Sequence, residues 1–213
     1  NFFRFLEYKG ISVNHSILEL PLAPAEWKKK NVTIILTKDE ETRLRNHYNG
    51  NTDKDIRNRI IVCLMLDLGM RCSEVAALKI TDIQWNLGTL KLSQTKNKRI
   101  RTLPISVKLG RMLEDYIISY RPKINNDYLF QHERLSNQFE AMSCECVRGI
   151  IRRAFEKENI HGWWKGTHAL RRTAASHIYN TGGGLKLTAD LLGHESLDST
   201  TQYVKVDFES LRK

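Results

Sequence analysis

Apolar positions along the chain recur mostly at helical spacing, and one stretch alternates as a strand does. Phe2, Phe3, Phe5, Leu6 and Tyr8, ahead of Gly10, read as the last turns of an amphipathic helix with a glycine stop; its body is expected upstream. Residues 14–30 contain Pro21, Pro24 and Lys28-Lys29-Lys30, a linker composition that marks a domain boundary. Beyond it, Thr37-x-x-Glu40 is a capping box opening a helix to about Tyr48. A strongly apolar helix runs from Asp55 to Leu68 and ends at Gly69, and a short one covers Ser73 to Leu78. Thr89 to Ser93 alternates as a half-buried strand, and Arg99 to Ile105 reads as its hairpin partner. Further helices are expected over Ser106–Tyr120, where Leu109, Leu113 and Ile117 share a face, over Ser143–Asn159, and over Thr167–Thr181, stopped by Gly182-Gly183-Gly184. Short helices at Leu185–Leu192 and Thr200–Val204 close the series. The pattern predicts a mainly α fold with one small antiparallel β-hairpin, of the α+β class.

Composition narrows this picture. With 41% hydrophobic and 27% charged residues the 213-residue chain reads as globular. Its longest apolar run, Ile60 to Leu66 closed by Asp67, is far short of the ~20 residues of a membrane-spanning helix. No basic segment followed by an apolar one resembles a signal peptide, so a cytoplasmic location is expected. Four cysteines are too few for a disulfide scaffold. Cys63 reads as core, and Cys144-x-Cys146 lacks the second pair of a zinc site, so no metal is expected. The 34 Lys and Arg against 24 Asp and Glu leave a net charge of +10 and a pI near 9.5, which points to a polyanion partner.

The basic residues gather at a few stations. The hairpin carries Lys91, Lys96, Lys98, Arg99 and Arg101 with no acid between 91 and 101, as a phosphate-contacting finger would. In Thr167-His168-Ala169-Leu170-Arg171-Arg172, His168 and Arg171 share a helix face and suit an oxyanion: the guanidinium offers two planar donors and the imidazole a third. The apolar stripe of that helix runs through Leu170, Ala174, His177, Ile178 and Thr181, which makes His177 a core histidine. Leu191-Leu192-Gly193-His194 puts His194 in a tight loop nine residues before Tyr203. Leu68-Gly69-Met70-Arg71-Cys72-Ser73-Glu74 sets Arg71 at the mouth of a helix with Glu74 one turn on.

Taken in order, Arg71, Lys96, His168-x-x-Arg171, His194 and Tyr203 resemble the catalytic domain of the tyrosine recombinases, the phage-integrase family. The likeness extends over about residues 34–207. It implies that residues 1–30 are the end of a truncated N-terminal core-binding domain plus linker, and that 31–213 are the catalytic domain. It also implies double-stranded DNA as partner, a homo-oligomer that is tetrameric on synapsed DNA, a nucleoid-associated place in the cytoplasm, and neither metal nor nucleotide cofactor. Tyr203 would form a 3′-phosphotyrosyl link. Arg71 and Arg171 would bind the non-bridging oxygens, His168 would donate to the phosphate or act as base, and His194 would hydrogen-bond the same oxygens. Lys96 would protonate the leaving 5′-oxygen, Lys98 being the alternative. Glu74 would orient Arg71 or His168, and Lys91, Lys98, Arg99, Arg101 and Arg172 would contact DNA.

The chemistry is coherent without the likeness. Two guanidiniums can replace the cations with which nucleases neutralise a pentacoordinate phosphorus. A tyrosyl phosphodiester keeps the bond energy of the broken strand. The other readings are a type IB topoisomerase, which rejoins the same strand, a catalytically idle DNA-binding protein on the same scaffold, and a metal-dependent nuclease. The His168 and His194 pair and the full set of site residues favour the recombinase.

Overall fold

The structure is a computed structural model that describes residues 6, 8–11, 35–92, 100–135, 138–162 and 166–193. The chain divides into two compact units, Asn1–Val32 and Thr33–Lys213. In the first, Gly10 takes φ 75 and the Ile11 N–H donates to the Leu6 carbonyl at 3.0 Å, the wrap that a glycine stop makes at a helix end.

The second unit is mostly helical with two small antiparallel sheets. Helix α1 (Lys38–His47) opens as its sequence requires: the Glu40 N–H donates to Thr37 Oγ1 at 3.2 Å, and the Thr37 N–H to Glu40 Oε2 at 2.8 Å. Helix α2 (Asp53–Leu68) is the spine. It is buried nearly all round from Ile60 to Leu66, as a helix without a polar face must be. Cys63 lies within that core, at 8% exposure. A short helix α3 (Cys72–Ala76) follows. Strands β1 (Ile83–Gln84), β2 (Thr89–Leu92) and β3 (Arg101–Pro104) form one sheet in that order, with Leu90 opposite Leu103 and Leu92 opposite Arg101. Helix α4 (Val107–Asp115) runs on into a π-type turn over Tyr116–Tyr120. Strands β4 (Gln131–Leu135) and β5 (Gln138–Ala141) make the second sheet. Helices α5 (Cys144–Lys157), α6 (Thr167–Ile178) and α7 (Gly184–Leu192) complete the described residues.

The helices and the β2–β3 hairpin stand where the pattern predicts them. The β4–β5 hairpin does not follow from the pattern, and its composition says why: Gln131-His132-Glu133-Arg134 has no apolar alternation. His177 corrects the sequence reading too. Helix α6 buries an arc from Ala169 to Ser176 and then leaves the core, so His177 is half out in solvent, 3.4 Å from Glu41 Oε2. The predicted helix at Thr200–Val204 lies outside the described residues. Among the described residues no helix is long and apolar enough to cross a membrane.

Candidate active site

The site begins where the spine ends. Gly69 closes α2 with φ 60, a left-handed turn that costs any other L-residue ~1–2 kcal/mol. A Cβ there would also stand 2.6 Å from Leu192 Cδ2 and 3.3 Å from Ala174 Cβ, so α2, α6 and α7 approach one another over a bare backbone. Two residues on, Arg71 caps α3. Its N–H donates to Glu74 Oε2 at 2.7 Å and its Nη1 to Glu74 Oε1 at 2.8 Å. The glutamate therefore fixes both the main chain and the side chain of Arg71, the first of the two orientations expected of it. Glu74 is buried, and Arg71 keeps 27% of its side chain exposed.

Arg101 completes that carboxylate's shell. Its Nη2 donates to Glu74 Oε2 at 2.6 Å. On β3, Leu103 faces the core and Thr102 faces solvent, so the strand's two-residue period turns Arg101 inward as well. Arg101, expected from the sequence to contact DNA, is turned toward Glu74 and the end of α7, with 8% of the residue exposed. Lys91, on the outward face of β2, is exposed, and Arg172 is half-buried.

Three arginines then meet one helix end. The carbonyls at the C-terminus of α7 have no partner within their own helix. Arg101 Nη1 donates to the Leu191 oxygen at 2.5 Å, Arg171 Nη2 to the Leu192 oxygen, and Arg71 Nη2 to the Gly193 oxygen at 3.2 Å. Arg171 Nη1 also donates to the Gly69 oxygen, and the residue is buried, deeper than the edge of the apolar stripe where its spacing put it. Guanidiniums at a helix C-terminus are favoured by the peptide dipoles. Gly193, at φ 64, turns the chain out of α7 within reach of all this charge. Among the described residues, Arg71 and Arg101 share the Glu74 carboxylate and Arg171 stands beside them, a cluster rich in positive charge.

His168 adds a neutral base beside them. Its ring is held below the usual imidazole range, first by burial and then by the positive charge of Arg172, Arg171, Arg148 and Arg71. It lines a cavity of about 280 Å³ with Arg148, Arg152, Phe155 and Thr167. Arg148 and Arg152 stand on α5, which the sequence predicts as a helix without singling out either arginine; their four-residue spacing puts them on one helix face. At pH 7 a depressed imidazole is uncharged and can both donate and accept a proton. In the DNA-free protein we expect the His168 ring protons, followed by NMR, to titrate below 6.5, the unperturbed value. The sign for stability follows: below pH 6.5 the unfolded chain takes up a proton the native site resists, so stability falls across that window. A midpoint at or above 6.5 would contradict the electrostatics described.

Cys144 lies 2.7 Å from Cys72, sulfur to sulfur, and both are free thiols. Among the described residues no group of three or more His, Cys, Asp or Glu side chains could hold a metal ion. Lys96, Lys98, Arg99, His194 and Tyr203 lie outside the described residues.

The sequence pattern of the phage integrase family matches residues 35–210, most of the chain. The chain belongs to that family. Among phage-integrase relatives, the tyrosine recombinase XerA of Pyrococcus furiosus is 31% identical over 211 residues, covering 98% of this chain and 68% of that protein. The putative integrase/recombinase y4rF of Sinorhizobium fredii is 30% identical over 207 residues, covering 96% of this chain and 48% of that protein. The chain thus spans about half the length of that first relative. Its fold is that of the crystal structure of XerA recombinase, with a TM-score of 0.72 at 25% identity, over 93% of this chain and 69% of the other. The mainly α architecture with small antiparallel sheets is therefore a tyrosine recombinase catalytic domain.

Proposed function

We propose that residues 33–213 are the catalytic part of a site-specific DNA recombinase that cuts and rejoins strands through a phosphotyrosine. The observation that carries the reading is the convergence of Arg71, Arg101 and Arg171 on three successive carbonyls, 191 to 193, immediately ahead of His194 and shortly before Tyr203. A positive, partly buried cluster of this kind stabilises the charge that develops on a phosphoryl group under attack. Family membership and the solved XerH recombinase bound to its difH substrate support DNA as the polymer.

In the proposed step the Tyr203 oxygen passes its proton to the neutral His168 imidazole and attacks phosphorus. The bond from phosphorus to the 5′-oxygen breaks, and that oxygen takes a proton from Lys96. The DNA 3′-end is left on tyrosine, and a free 5′-hydroxyl reverses the step on the same or another strand. Arg71 and Arg171 hold the non-bridging oxygens, and His194 donates beside them. Lys91, Lys98, Arg99 and Arg172 bind flanking phosphates. Strand exchange needs four copies on two paired sites and the domain that precedes the linker, in the nucleoid of the cytoplasm.

The test is a denaturing gel of protein incubated with labelled, nicked duplexes drawn from the DNA flanking its coding sequence. A covalent adduct is expected in excess EDTA and without ATP. Complete dependence on magnesium would contradict the proposal and favour a metal-dependent nuclease. Rejoining only to the original strand would favour the topoisomerase.

A further inference from the structure

Arg101 is the arginine of this cluster to which the proposed chemistry gives no role at the phosphate. Its placement is costly. A guanidinium loses hydration when buried, and its Nε has no hydrogen-bond partner. A pair so buried is weak evidence of net stabilisation, because desolvation offsets the attraction between its charges. The pair's geometry is specific. One end of the fork holds Glu74, whose other contacts hold Arg71. The other end holds Leu191, two residues before Gly193 and three before His194. Arg101 stands on β3, and it follows Lys96 in the sequence by five positions, a tether of at most ~18 Å.

We propose that Arg101 is a positioning residue for strand cleavage: it clamps the root of the lysine hairpin, the Glu74–Arg71 pair and the end of α7 into one arrangement, and touches no DNA. The proposal rests on the reading of this site as the DNA-cleaving centre. Lysine at 101 keeps the charge but cannot hold two acceptors in a planar fork. A misplacement of ~1 Å in a catalytic group can cost ~10²-fold in rate.

The test compares wild type, Arg101→Lys and Arg101→Met. Single-turnover adduct formation is measured at saturating DNA and normalised to the folded fraction, and DNA affinity is measured across a salt series. Arg101→Met is expected to cleave ~10²-fold more slowly per folded molecule, with Arg101→Lys between it and wild type. Both should bind DNA with unchanged affinity and salt slope. Arg101→Met combined with Glu74→Gln should fall by less than the product of the two single effects, because both act through the placement of Arg71. A salt slope smaller by about one in the variants would make Arg101 a phosphate contact and overturn the proposal. So would a lowered melting temperature with wild-type cleavage per folded molecule, which is what a purely structural arginine gives. If Arg101→Met does not fold, Arg101→Lys decides by the same two readouts. A wild type that binds DNA but forms no adduct refutes the cleavage reading itself, and the salt series still judges whether Arg101 meets phosphate.

Discussion

Arg171→Lys is expected to slow single-turnover cleavage by ~10²–10³-fold per folded molecule, the scale seen when one preorganised oxyanion donor is removed. Two separate losses are involved. The guanidinium donates to the Gly69 and Leu192 oxygens at once, which ties the turn before Arg71 to the end of α7. Lysine has the charge but not the fork, so at least one buried carbonyl loses its donor at ~1–3 kcal/mol. A lower melting temperature should therefore accompany the kinetic defect. DNA affinity should change little, because lysine keeps the positive charge that a phosphate contact contributes to binding. Thermal unfolding, adduct kinetics well below the melting point and equilibrium DNA binding separate the three effects. Wild-type cleavage per folded molecule would make Arg171 purely structural and turn attention to Arg172.

Lys96→Ala is expected to cut cleavage of ordinary DNA by the ~10²–10⁴-fold typical of a lost general acid. A substrate with sulfur in place of the bridging 5′-oxygen identifies the step, because a thiolate departs without a proton. On it, Lys96→Ala should regain most of the wild-type rate, whereas Arg171→Lys should not, its defect lying in the phosphoryl charge. Rescue of Lys98→Ala with Lys96→Ala still crippled would transfer the role to Lys98. Rescue of neither would mean that the hairpin only positions DNA.

Much of this molecule was legible because its signals are local. The Thr37–Glu40 box, the Gly69 stop and the Arg71–Glu74 spacing each concern residues within a turn of one another, where sequence distance and spatial distance agree. The family likeness rested on the order of Arg71, Lys96, His168, Arg171, His194 and Tyr203, and the match over residues 35–210 agrees with it. What escaped was long-range or polar. The three carbonyls that collect Arg71, Arg101 and Arg171 are backbone atoms, which carry no side-chain identity to read. Arg101 sits in a run of basic residues, and that run outweighed the strand period, although Leu103 two residues on already implied an inward side chain. His177 followed a helical stripe past the point where α6 leaves the core. The β4–β5 hairpin is too polar to announce itself.

The central claim is that this arginine cluster serves a tyrosine nucleophile, and the most direct measurement is the identity of the residue that carries the DNA. Protein trapped on a nicked duplex in EDTA would be digested with protease and nuclease, and the modified peptide sequenced by mass spectrometry. The account predicts a single nucleotide-bearing peptide with the phosphate on Tyr203, and no adduct from Tyr203→Phe. An adduct that survives in Tyr203→Phe, or that maps to Tyr48, Tyr179 or any other residue, would contradict it.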